Sequence, residues 1–475
     1  MAVTQAVRKK LGLYYTPPDL AELITERTLA DIDHVGDWAE WPRDRPVRVL
    51  DPACGDGRLL ETIRVQLHLR GYSVELLGCD VDAEALAQIR HPRTRTIHGN
   101  ALEHDWGDER FDIVIGNPPY LSQMASDTSR GGASRHGGGP YADVAAEFLA
   151  LAVELADPTH GRVSLVLPQS ILASRDAGPI RDRVDELADH AWSWWVPEQQ
   201  LFDADVNVCV LGFRRPSTGP AGALAWTRVV TDELEIPALD PTWLTTDGTI
   251  GDRAELNANF RDEYYALVPA VGDHDDGPPL VTSGLIDPLT CWWGERRVKF
   301  NKRFFERPRV DVSKLEGRFA SWADRKLVPK VVVANQTKLV EAVADVDGSW
   351  LPGVPVTTVI PTATDPDEVR QTVREIEAVL CSPIASAMCW HLGGGTGLSS
   401  QTVRLSPGVL ASVPWPAGDL EPALAAAMEG DVVSCGRAVL SAYGCPEDRA
   451  DALLSWWVRG LPSRVDPDGD DEGDD

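Results

Sequence analysis

The sequence predicts an α/β protein: a parallel, doubly wound sheet followed by a mixed α+β region. Three observations predict it. Short apolar runs alternate with amphipathic helical patterns between Val47 and Leu167, the order that βαβ units impose. These runs end in small or polar residues, at Asp51 through Gly57, Asp80, Gly99-Asn100 and Gly116-Asn117, and the C-terminal strand tips of an open α/β sheet are where ligands bind. Beyond a stretch from Pro216 to Gly222 the alternation fades, and short apolar runs separated by Pro and Gly take over. The expected organisation is a sheet domain over 1–215, a second domain over 223–418, a helical segment over 419–462 and a disordered acidic tail over 463–475.

Taken in order, Tyr14 through Pro18 reads as a turn. A helix follows from Asp19, with Leu20, Leu23, Ile24 and Leu29 on one face and Asp19 as its cap. Val47 to Leu50 is a strand, Asp51 to Gly57 a tight loop, and Leu59, Leu60, Ile63 and Leu67 form the apolar face of the next helix. Val74 to Cys79 is the second strand, Ala83 to Ile89 a short helix, Thr94 to His98 the third strand and Asp112 to Ile115 the fourth. The stretch from Ser122 to Pro140 is polar and Gly-rich, a long connection. Ala142 to Ala156 is helical and Val163 to Leu167 a strand, while Trp192 to Val196 and Val206 to Arg214 close the sheet. Past the linker, Val331 to Val333, Val340 to Val346 and Val354 to Ile360 read as strands and Asp367 to Leu380 as a helix. Gly393 to Gly397 is a loop, and Asp419 to Gly460 is helical with Trp456-Trp457 as core anchors.

Length and composition set bounds. A chain of 475 residues has room for two to three domains. No run approaches the roughly 18 apolar residues of a membrane span, and Met1 to Lys10 holds no apolar signal core; a cytoplasmic protein is expected. None of the eight cysteines forms a C-x-x-C pair, so reduced thiols are expected, with no metal site. Net charge is −28, which sits awkwardly with binding phosphate backbones. The charge is uneven: Asp466 to Asp475 carries seven acids, whereas Arg296 to Lys330 carries twelve Lys and Arg against four acids. In that basic block Trp292, Trp293, Phe300, Phe304 and Phe305 interleave with Arg296, Arg297, Lys299, Lys302, Arg303, Arg307 and Arg309, a mixture suited to tracking a nucleic-acid backbone or to a solvated face with its aromatics turned inward.

The chemistry-bearing residues lie at the strand tips. Two prolines fix the backbone of Asn117-Pro118-Pro119-Tyr120. The Asn side-chain oxygen and the Pro118 carbonyl can then accept from one N–H donor while Tyr120 offers an aromatic face. In the loop Asp51-Pro52-Ala53-Cys54-Gly55-Asp56-Gly57-Arg58, Gly55 and Gly57 permit close approach of a ligand to the backbone. The loop is neither G-x-G-x-x-G nor a P-loop. Asp80 ends the next strand, where a carboxylate can accept both hydroxyls of a ribose. Asn100 can contact an adenine ring or simply form a turn beside Gly99.

Thr16-Pro17-Pro18, Asp51 to Gly57, Asp80 and Asn117 to Tyr120, in that order, resemble the γ class of S-adenosylmethionine-dependent amino-methyltransferases, the DNA adenine-N6 methylases of restriction-modification and related phage-defence systems. The motifs cover about residues 8 to 215, and the remainder resembles their target-recognition region more loosely. The resemblance implies a Rossmann-like class I methyltransferase sheet over 1–215 and a DNA-binding target-recognition domain over 223–418. Thr16 and Pro17 would contact the methionine part of the cofactor. Asp51, Ala53, Gly55 and Gly57 would hold its amino and carboxyl groups, and Asp80 its ribose. Asn100 stands where the family usually has Asp against the cofactor adenine. Asn117 and Pro118 would accept from the target amine, with Pro119 fixing the turn and Tyr120 stacking on the base. Phe202 falls where the family has a second aromatic on the base's other face.

The implied reaction is direct attack of an adenine N6 amine on a sulfonium methyl, with no covalent enzyme intermediate and therefore no catalytic Cys. The base must flip out of the duplex, and Arg296, Arg297, Lys299, Lys302 and Arg303 would hold DNA. Related chemistry leaves cytosine-N4, RNA and a protein glutamine amide as rival substrates. The long region beyond residue 215 favours DNA, and Asn rather than Ser at the motif favours adenine. A restriction or defence subunit is expected as a separate chain.

Overall fold

In the computed structural model, the described residues are 16–35, 41, 44–120, 134, 136–139, 142–195, 207–220, 225–258 and 261–462. Phe202 and the tail from 463 lie outside them. The chain divides into two compact units, Met1–Glu233 and Leu234–Asp475.

The first unit holds a seven-stranded sheet. Its strands are β1 (Val47–Asp51), β2 (Val74–Asp80), β3 (Thr94–His98), β4 (Ile113–Gly116), β5 (Arg162–Pro168), β6 (Asp189–Trp194) and β7 (Val208–Arg214), in the spatial order β3-β2-β1-β4-β5-β7-β6. β1 to β5 run parallel, while β7 is antiparallel to both β5 and β6. The order reverses at β1, and the neighbouring tips of β1 and β4 form the switch point where such sheets bind ligands. β4 and β5 are buried at every residue, because helices cover both faces. Edge strand β3 keeps only half-buried and exposed residues.

The helices are α1 (Pro18–Val35), α2 (Arg58–Leu69), α3 (Ala83–Leu86), α4 (Val144–Leu155) and α5 (Gly178–Leu187). α1 starts one residue before Asp19, so Asp19 lies within the first turn, where its charge suits the helix dipole, and it is not the expected cap. α1 is tied to β5 by Thr28 Oγ1 donating to Ser164 Oγ at 2.7 Å and by Arg162 Nε donating to Asp31 at 2.7 Å. In α2, Leu59, Leu60, Ile63 and Leu67 are buried as their spacing predicts.

At the N-terminal side of β4, Asp112 is the hub of an ionic lock. It accepts from both terminal nitrogens of Arg45 at 2.8 Å and from the Arg48 N–H at 2.7 Å, and meets His160 Nε2 at 2.7 Å. Asp157 also lies close by. Burial alone would raise the Asp112 pKa, but Arg45, His160 and the Arg48 N–H together pull it down to about 2.

The second unit is built on a four-stranded antiparallel sheet of Ala342–Asp345, Lys330–Ala334, Val356–Pro361 and Ala254–Ala258, in that spatial order. Its core also takes in helices Pro366–Leu380, Pro383–Gly393, Val432–Ala442 and Glu447–Gly460, with Trp390, Tyr443 and Trp457 among the buried anchors. The helices beyond residue 419 thus share one core with the sheet. A satellite core of Leu267, Phe300, Phe305, Val310 and Trp322 holds the basic block. Among the described residues no single helix is long and apolar enough to cross a membrane.

Candidate active site

The site is built from the tips of β1, β2 and β4. The loop after β1 folds back on β2, with the Cys54 N–H donating to the Cys79 carbonyl at 3.0 Å and the Gly57 N–H to the Cys54 carbonyl at 2.8 Å. Gly57 requires glycine: its φ is +81°, and a Cβ there would lie 2.8 Å from Ile89 Cγ1. Across β2 the fit is as tight, since a Cβ on Gly78 would lie 2.6 Å from Cys54 Sγ.

Thr16, Asp51, Ala53, Cys54, Gly55, Asp56, Arg58 and Asn117 line one cleft. Asp51 accepts from the Ala53 N–H at 3.0 Å, and Asp80 accepts from the Gly55 N–H and the Asp82 N–H at 2.7 and 2.8 Å. These bonds lock both carboxylates and leave each oxygen a further lone pair. Arg58 Nη1 donates to the Thr16 carbonyl at 3.1 Å and so ties the threonine motif to the loop. Burial, and secondarily the charges of Asp80 and Asp56, lift the Asp51 carboxyl to about 8. Asp51 and Asp56 line the cleft with Arg58 beside them, and Asp80 holds the Gly55 N–H, so carboxyl acceptors and backbone N–H groups meet a ligand that carries an ammonium and hydroxyls. That donor set fits the sulfonium, ammonium and ribose of S-adenosylmethionine.

Asn117 follows β4 directly and faces this cleft. Pro118 is buried and Pro119 half-buried. Tyr120 is only 5 % exposed, and its hydroxyl donates to Asn117 Oδ1. The tetrapeptide is therefore folded on itself, with the aromatic ring shielded. Asn100 behaves locally as a turn former, its side-chain oxygen accepting from the Leu102 N–H at 3.1 Å.

Sequence reasoning missed Arg58 and Gly78. Arg58 carried a readable signal, since it follows the glycine loop directly. Gly78 carried none, because its partner Cys54 lies in another element.

The basic block of the second unit divides into two kinds of residue. Arg296 is engaged internally: it donates to both Asp287 oxygens at 3.0 Å and to the Gly284 carbonyl at 3.1 Å. Arg297, Lys299, Lys302 and Arg303 are exposed.

Residues 2–218 match the model of the N-6 DNA Methylase family. Type II methyltransferase M.CvrRI of Paramecium bursaria Chlorella virus XZ-6E is 24% identical over 212 residues, which cover 44% of this chain and 49% of the relative. Type II methyltransferase M.TthHB8I of Thermus thermophilus is 35% identical over 112 residues, covering 24% of this chain and 22% of the relative. The chain thus spans half or less of these relatives. Among solved structures, the type I restriction-modification system methyltransferase subunit from Streptococcus thermophilus aligns with 44% of this chain and 46% of its own, at 20% identity and a TM-score of 0.35.

Proposed function

We propose, from the match of residues 2–218 to the model of the N-6 DNA Methylase family, that this chain is a DNA methyltransferase. It transfers a methyl group from S-adenosylmethionine to the N6 amine of a flipped-out adenine, in the setting of restriction-modification. The observation that carries the reading is the seating of Asn117, at the tip of β4, on the same cleft as Asp51, Ala53 and Gly55.

Thr16, Asp51, Ala53 and Gly55 would hold the amino-acid part of S-adenosylmethionine, and Asp80 its ribose. When bound, that cofactor supplies an electrophilic methyl on a positively charged sulfur. The chain's own task is to make a poor nucleophile attack. The adenine amine is planar because its lone pair is delocalised into the ring. Acceptance of its hydrogens by Asn117 Oδ1 and the Pro118 carbonyl draws the nitrogen toward tetrahedral geometry and localises that pair. The two acceptors also orient the amine, so positioning and electrostatics carry the rate. The Tyr120 ring stacks on the base once it is displaced from its resting contact, and Phe202 is assigned to the other face. The basic block of the second unit holds duplex DNA, and a separate restriction or defence subunit completes the system.

The test is single-molecule sequencing of DNA from cells expressing this chain, beside an Asn117→Ala control. Modified adenine in a defined motif, absent from the control, supports the reading. Unmodified DNA, with purified protein still binding S-adenosylmethionine, overturns DNA as the substrate of the chain acting alone.

A further inference from the structure

We propose that the hairpin Val298–Phe305 is a two-stranded ribbon that enters a groove of duplex DNA. In this arrangement Lys299, Lys302 and Arg303 meet phosphates, and the stacked Arg297–Phe304 pair meets the bases. The assignment rests on the DNA-methylating reading above and identifies which part of the second unit makes the contact.

Four observations carry it. The hairpin pairs Val298 with Phe305, Lys299 with Phe304 and Phe300 with Arg303. This register puts Val298, Phe300 and Phe305 on the buried face, Phe300 and Phe305 within the satellite core, and turns Lys299 and Phe304 outward, while Arg303, opposite Phe300, reaches solvent past the Phe305 ring. Phe304 is left 59 % exposed, an aromatic ring in water beside two phenylalanines that are buried. Its face is not bare: the Arg297 guanidinium stacks over the ring, 4.5 Å from its centroid. The stack holds flat both a planar fork of donors and an apolar edge.

Charge points the same way. Between Arg297 and Arg303 there are four basic residues and no acid, in a chain of net charge −28. The tip is a two-residue turn with Asn301 at φ 47° and Lys302 at φ 61°, the left-handed pair of a type I′ hairpin. Such a turn favours Asn-Gly. Here Lys occupies the second position, so the tip gives up backbone ease for a cation at its outermost point. Arg296, held by Asp287, belongs to the support beneath the ribbon. A major groove about 12 Å wide admits a two-stranded ribbon, and an arginine fork matches a guanine edge.

The test uses the full chain and three variants, Lys302→Gly, Phe304→Ala and Arg297→Ala, titrated with a fluorescent duplex over a salt series, with thermal melting alongside. Lys302→Gly melts no lower than wild type, since Gly suits the turn, yet its log-affinity falls less steeply with log-salt, by about one unit of slope. Phe304→Ala binds roughly tenfold more weakly without loss of melting temperature. Wild-type affinity and salt slope in all three variants would overturn the proposal. If wild-type protein transfers labelled methyl groups to DNA while the variants bind normally, only the hairpin assignment falls. If wild-type protein neither binds nor methylates any duplex, the enzymatic reading falls and takes this one with it.

Discussion

The Tyr120 hydroxyl donates to the side-chain oxygen of Asn117. That oxygen is the acceptor assigned to the target amine, so the resting site holds in place of its substrate a donor from within the same tetrapeptide. Base entry must exchange one hydrogen bond for another, and the buried Tyr120 ring must shift before it can stack.

Tyr120→Phe keeps the ring and removes the competing donor. A neutral hydrogen bond is worth about 1 kcal/mol net, so KM for DNA is expected to fall about fivefold. Steady-state kinetics against duplex concentration checks this. A drop in kcat at constant KM would show instead that the hydroxyl orients Asn117 for the reaction.

Asp51 is a buried acid whose carboxyl is lifted to about 8, first by burial and then by Asp80 and Asp56. A carboxyl with a raised folded pKa favours the fold fully below its unfolded value near 4. That contribution is lost as pH rises through the folded pKa. Asp51→Asn, which can still accept from the Ala53 N–H, is therefore expected to melt several degrees higher than wild type at pH 8. The gain shrinks toward zero as pH approaches 4. Loss of S-adenosylmethionine binding should accompany it, because the cationic cofactor wants the charge. Melting curves across pH, paired with calorimetric titration of the cofactor, test both halves. A variant that melts lower at pH 8 would contradict the account.

The strand tips were legible because their signals are local. Asp51, Asp80 and Asn117 each end an apolar run, and the helix after Gly57 carries its own periodicity. What was hidden depends on contacts between elements. Gly78 is required by Cys54 Sγ, and no spacing in either segment reveals this. Tyr120 was read as an open stacking face, but its burial is set by tertiary packing. The basic block was read as one surface. Separating Arg296 from Arg297 takes the Asp287 contact of the one and the Phe304 stack of the other, neither of which composition encodes. The helix at Pro383–Gly393 escaped because it is apolar on most sides and gives no clean stripe, whereas Gly178–Leu187 does carry Ile180, Val184 and Leu187 at helical spacing, a short stripe in a mostly polar segment.

The Gly78–Cys54 contact yields a compensation test. Gly78→Ala drives a methyl to 2.6 Å from Cys54 Sγ. Overpacking of this kind costs roughly 1–3 kcal/mol, and the strain falls on the loop that presents Ala53 and Gly55. The single variant is expected to lose stability and cofactor affinity together. Adding Cys54→Ala removes the clashing sulfur and should restore most of both. A double variant no better than Gly78→Ala, by melting and by cofactor titration, would show that the loop is positioned by something else.

Asp112 stands at the opposite end of β4 from Asn117, five residues away and therefore roughly 16 Å along the strand. It is 1 % exposed and holds Arg45, the Arg48 N–H and His160 at once. Arg45 is 42 % exposed, so removing Asp112 leaves no fully buried unpaired charge and costs less than the roughly 3–5 kcal/mol of a wholly buried pair; Asp112→Ala should still lower the denaturant midpoint. The pH dependence has a fixed sign. The folded pKa, about 2, lies below the unfolded value of 3.8. The Asp112 contribution is therefore full above roughly pH 4 and lost as pH falls through 2. Wild type and variant should consequently converge in stability on acidification. At a temperature where both are folded, the variant should methylate DNA with kcat close to that of wild type, because the lock touches no group at the strand tips. Parallel denaturant titrations at neutral and acid pH decide the matter. A stability difference that persists unchanged at pH 2 would mean that packing, and not the charge on Asp112, holds this end of the sheet.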